Sequence, residues 1–88
     1  MPYIKKEDRL KFKDTLTEVI GILEENGTKV GEINYVISTI IWELFKSNPS
    51  YTTANNLIGV LECVKQEFIR RKLNQYEDKK IAQNGDLS

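Results

Sequence analysis

Arg70, Arg71 and Lys72 stand side by side in the stretch EFIRRK, with Lys65 two helical turns earlier. A guanidinium fork matches two phosphate oxygens at once, so a run of cations of this kind suits a phosphate-bearing ligand. Tyr76 lies just beyond the cluster, and Tyr3, Tyr35 and Tyr51 could reach it from a second copy of the chain. Aromatic faces stack on bases, arginines hold phosphates, and amides or carboxylates read base edges. Asn34, Glu62, Asn84 and Asp86 are candidates for the last role, and Arg70, Arg71 and Lys65 for phosphate neutralisation. The bland alternative is a solvated helix face on which Glu62 and Glu67 pair with these cations at helical spacing.

Other chemistries find little support. Histidine is absent, which removes the commonest general base and metal ligand. Cys63 has no imidazole partner and reads as a small core residue. Gly27 and Gly31 flank TKV without the spacing of a phosphate-binding loop. Glu24-Glu25, Glu62 with Glu67, and Glu77-Asp78 read as solvated charges, without metal-ligand or paired-carboxylate spacing. Glu62 is the exception, because it interrupts an apolar stripe and there needs a partner. The expectation is a non-enzyme with no metal site and no cofactor.

The totals bound the rest. The chain has 88 residues, enough for one domain with a barely sufficient core. Thirteen Lys and Arg balance thirteen Asp and Glu. Coating duplex nucleic acid calls for a basic excess, so that role is not expected. The single cysteine excludes an internal disulfide and fits a reducing cytoplasm. MPYIKKEDR is too polar for a secretory signal, and no apolar run approaches the ~20 residues that span a bilayer.

The elements that must position these residues are helices. Residues 1–6 read as an extended arm, with Pro2 opposing helix. A first helix is expected over 7–26, its stripe Phe12, Leu16, Val19, Ile20 and Leu23, stopped by Asn26-Gly27. A second covers 30–46 with Thr28 as candidate cap, and SNPS breaks the chain at Pro49. A third, capped by Thr52 or Thr53, runs over 52–82 for about 45 Å, leaving 83–88 as a tail. NGD within that tail is either a frayed end or a tight turn that caps a pocket. The fold class is all-α, a helical hairpin plus one long third helix.

Two surpluses stand out. Ile33, Val36, Ile37, Ile40, Ile41 and Leu44 share one face of the second helix, yet Tyr35 and Trp42 lie nearly opposite. The third helix carries Leu57, Val60, Leu61, Val64 and Phe68 on one stripe. Ile58, Ile69, Leu73 and Tyr76 form another, about 90° round in a regular helix. Three helices cannot bury all of this alone. A homo-oligomer, dimer or tetramer, is expected; the alternative is a monomer whose arm and tail fold over the second stripe.

MPYI at 1–4, GEINYVI at 31–37, SYTTANNLIGVLECVKQEFIRR at 50–71 and YEDKKIAQNGD at 76–86 carry a resemblance that runs nearly end to end. The chain resembles a widespread family of very short bacteriophage proteins, identified with the phage anti-CBASS sponges. The resemblance implies a tetrameric protein in the cytoplasm of the infected bacterial host. It would bind a cyclic dinucleotide immune signal, such as cyclic GMP-AMP, without cleaving it. Binding residues are not assigned by the resemblance; those above are choices from chemistry on the matching stretches. A competing reading is a helical phage adaptor or inhibitor of a host protein, anchored by Trp42. A virion accessory is a third.

Overall fold

The computed structural model describes residues 3–87 and divides into two units, Met1–Ser50 and Tyr51–Ser88. Met1 and Pro2 of the expected arm, and Ser88 of the expected tail, lie outside the described residues. All regular structure among the described residues is helical, with no strand, so the chain is all-α.

In the first unit, Tyr3 to Lys5 are extended and a 3₁₀ turn, Lys6–Arg9, precedes α1, Leu10–Glu24. The Arg9 Nε–H donates to the Ile4 carbonyl at 3.1 Å and ties the arm to this turn. Glu7 and Asp8 fall in the first turn, where backbone N–H groups favour acid. The end of α1 follows from two residues: Asn26 has φ +62° and Gly27 φ +86°. That left-handed pair lets the Gly27 N–H bond the Glu24 carbonyl at 3.2 Å.

Helix α2, Val30–Ser47, starts where expected but is capped differently. Its N-cap is Lys29, not Thr28, and no side chain caps it. Its far end is closed by the Ser47 hydroxyl on the Glu43 carbonyl and by the Asn48 N–H on the Phe45 carbonyl. Between Glu32 and Glu43 the helix has no charge on any face. Val19, Leu23, Ile33, Val36 and Ile41 are partly covered, while Phe12, Leu16, Ile20, Ile37 and Ile40 remain exposed.

The second unit is one uninterrupted run of helix: α3, Tyr51–Phe68; a π-helical turn, Ile69–Leu73; and α4, Asn74–Asn84. It spans about 50 Å at 1.5 Å per residue. The π turn is confirmed by the Asn74 N–H, which bonds the carbonyl of Ile69. Gly85, at φ +88°, ends the helix and donates its N–H to the Ile81 carbonyl at 2.8 Å.

That π turn corrects the two-stripe expectation. It inserts one residue into the helical register, which turns everything beyond it back by about 100°. Leu73 and Tyr76 thereby rejoin the line of Leu57, Leu61, Val64 and Phe68. One stripe about 30 Å long replaces two, and only Ile58 and Ile69 stay on the other face.

No described residue is buried. Of the expected core of α3, Val60, Leu61, Val64 and Phe68 are exposed and Leu57 is partly covered. Cys63, expected as a small core residue, is exposed as well. Within its own unit this helix has no second element on which to lay its stripe.

Gly27→Ala should cost about 1 kcal/mol, because alanine resists the left-handed backbone. A thermal melt followed by circular dichroism should show a midpoint lowered by roughly 4–8 °C, with helix content unchanged.

Candidate functional site

The arginine pair sits on the π turn itself. A π turn is rare and occurs inside α-helices frequently at functional sites. Here it brackets Arg70 and Arg71, and Glu67 on the preceding turn reaches both. One terminal nitrogen of Arg70 donates to both Glu67 oxygens, at 3.1 Å to Oε1 and 3.0 Å to Oε2. Arg71 Nη1 lies 3.8 Å from the same Oε2. The arginine side chains stay open, 68% and 55% exposed, whereas Glu67 is 23% exposed. Among the described residues Glu67 is the one charged side chain that is not classed as exposed.

Lys65 belongs elsewhere. Its ammonium is 3.9 Å from Glu62 Oε1, and the Gln66 side-chain N–H donates to that oxygen at 2.9 Å. Residues two apart on a helix lie on nearly opposite sides, so Lys65 and Glu67 face different ways. One helix cannot close Lys65 and the arginines around a single phosphate. Glu62 is exposed and finds its partners on its own helix, so the partner expected for it in a stripe is not required.

Tyr76 lies beyond the π turn, at the end of the merged stripe, with the Lys80 ammonium 5.5 Å from its ring centre. It is the one tyrosine within about two turns of Arg71. Tyr51 begins α3, some 30 Å of helix away from Arg71, and is fully open to solvent. Asn84 is the last residue of α4. Asp86 Oδ1 accepts the N–H of Leu87 at 2.7 Å. In this unit NGD acts as a helix stop.

The first unit holds a different cluster. Asn34 and Tyr35 line an open depression of about 410 Å³ on α2, together with Gly31, Ser38, Thr39 and Trp42. These residues recur at three- and four-residue intervals along a single face. The Ser38 hydroxyl donates to Asn34 Oδ1 at 2.8 Å. Tyr35 is 63% and Trp42 73% exposed. Tyr3 lies on the extended arm and is half exposed.

Three residues of consequence were missed in the sequence. Glu67 was weighed only as one of two helical pairing partners, yet it alone bridges both arginines; its three- and four-residue offsets from Arg70 and Arg71 were the available signal. Ser38 and Thr39 were missed because hydroxyls inside a helix read as neutral. Among the described residues no cluster of three acidic or thiol groups is placed to hold a metal ion. No described helix is long and apolar enough to cross a membrane.

The sequence pattern of one family, described as Domain of unknown function (DUF6899), matches residues 1–87, and the chain belongs to that family. No curated protein and no solved structure matches the chain.

Exposed ion pairs contribute at most about 1 kcal/mol, so Glu67→Gln should leave the thermal midpoint within a few degrees of wild type. A calorimetric loss above roughly 10 °C would instead mean that Glu67 holds the π turn together.

Proposed function

We propose that this DUF6899 protein binds and sequesters a cyclic dinucleotide immune signal, such as cyclic GMP-AMP, without cleaving it, in pockets formed between copies of the chain. One observation carries the reading. Two open arginines stand on a π turn that falls within the length of an exposed apolar stripe ending in Tyr76. Phosphates, a base and a subunit seam thus have their natural partners on about two turns of one helix.

The rest of the sequence is consistent with a binder. Sequestration needs no general base, and the chain has no histidine. It needs no net positive charge, since a small dianion is held by a local cluster rather than by a field. Mass action supplies the effect: a tight, abundant binder lowers the free signal in the cytoplasm of an infected bacterial host. The resemblance to small phage sponge proteins supports the same reading.

Assembly follows from the uncovered surface. Each unit has apolar residues that it does not cover by itself, and a homo-oligomer, dimer or tetramer, hides them by two-fold repetition. The bases are then stacked by Tyr76 of one copy and by Tyr3, Tyr35 or Tyr51 of another. The second reading, an adaptor or inhibitor of a host protein, is favoured by one specific feature: Trp42 stands open above a shallow apolar depression, as interface anchors do.

Titration calorimetry against a panel of cyclic di- and trinucleotides, followed by heating the complex and assaying the released ligand, separates these readings. Intact ligand should be recovered. Cleaved ligand means an enzyme, and binding to no member of the panel favours the adaptor. Arg71→Ala should weaken binding at least about tenfold, the usual loss of one charge-assisted contact, without altering assembly. Trp42→Ala should disturb assembly.

A further inference from the structure

Glu67 occupies the place that a ligand oxygen would take. Its Oε2 is shared between the two guanidinium groups, 3.0 Å from Arg70 and 3.8 Å from Arg71. An oxygen bridging the pair from outside meets this carboxylate first. The arginines, however, are more than half exposed, and Arg70 gives the carboxylate only one of its terminal nitrogens. The contact is thus complete enough to fill the site and weak enough to give it up.

We infer that Glu67 is a built-in competitor: its carboxylate holds the Arg70–Arg71 pair in the free protein, and a phosphate or phosphodiester oxygen of the ligand replaces it on binding. The inference rests on the proposal that these arginines clamp the ligand, and it adds the regulation of that site. An intramolecular carboxylate acts at an effective concentration on the order of millimolar or above. Lone chloride or a weakly held monoanion therefore does not displace it. A ligand that brings two phosphates on one rigid ring does, because its second phosphate and its bases add to the same exchange. Glu67 also keeps two neighbouring like charges compensated when the site is empty of ligand. It sets a threshold below which anions are refused.

The exchange has a signature that a merely structural glutamate lacks. Removing the competitor should tighten the site, not loosen it. The probe is inorganic pyrophosphate at low ionic strength, titrated into the full chain and followed by the arginine Nε–H signals in NMR. Exposed ion pairs are weak, so Glu67→Gln should lower the dissociation constant by about fivefold. Glu77→Gln removes the same charge from a solvated position on α4 and should change it by less than about twofold. Adding Arg71→Ala to Glu67→Gln should erase the gain.

Equal or weaker binding by Glu67→Gln overturns the inference. So does an equal gain from Glu77→Gln, a gain that survives Arg71→Ala, or no pyrophosphate binding in any variant. The same variants titrated with a cyclic dinucleotide keep the two proposals apart. Wild-type binding with no gain from Glu67→Gln sinks the exchange and spares sequestration. A pyrophosphate gain without any cyclic nucleotide bound sinks sequestration and leaves an anion-exchange site.

Discussion

A helix satisfies its own backbone but not its apolar face, and that face is the governing constraint on this protein. Most helical stability in proteins comes from laying such a face against something else. Here most of the merged stripe from Leu57 to Tyr76, and Tyr35, Ile37, Ile40 and Trp42 of α2, remain exposed. Burial of one large apolar side chain contributes about 1.5–3 kcal/mol, so leaving several in water is expensive for a short chain. In the proposed reading, copies of the chain supply the missing cover, and the ligand pockets lie along the shared seams.

The π turn connects that constraint to chemistry. By slipping the register one residue, it aligns Leu73 and Tyr76 with the stripe, while Arg70 and Arg71 lie on the turn itself. A regular helix would have split the apolar residues over two faces. The irregular turn thus makes one continuous apolar surface and carries the two arginines on the same length of helix. Glu67 then compensates those cations in the free protein at little energetic cost.

Much of the fold was legible because its punctuation is local. Asn26-Gly27, Pro49 and Asn84-Gly85 stop helices by backbone properties that each residue carries with it. The start of α2 at Val30 was legible, but its cap was misread, since Thr28 can cap yet Lys29 occupies the position without a side-chain bond. The π turn was invisible: the choice between four- and five-residue hydrogen bonds leaves no mark on composition or periodicity. That single slip also misplaced Leu73 and Tyr76 in the sequence reading. Of the candidate site, the pairing of Arg70 and Arg71 with Glu67 was readable from spacing. The separation of Lys65 from them is equally a matter of spacing, but it emerges only when Glu67 is taken as the centre.

The most direct test is the mass of the wild-type protein in solution. Sedimentation equilibrium at micromolar concentration should return an integral multiple of 10.2 kDa, falling only on strong dilution. A mass of 10.2 kDa throughout that range, with Trp42 fluorescence already that of a shielded indole, would mean that the chain covers its own stripes and that no seam between copies exists.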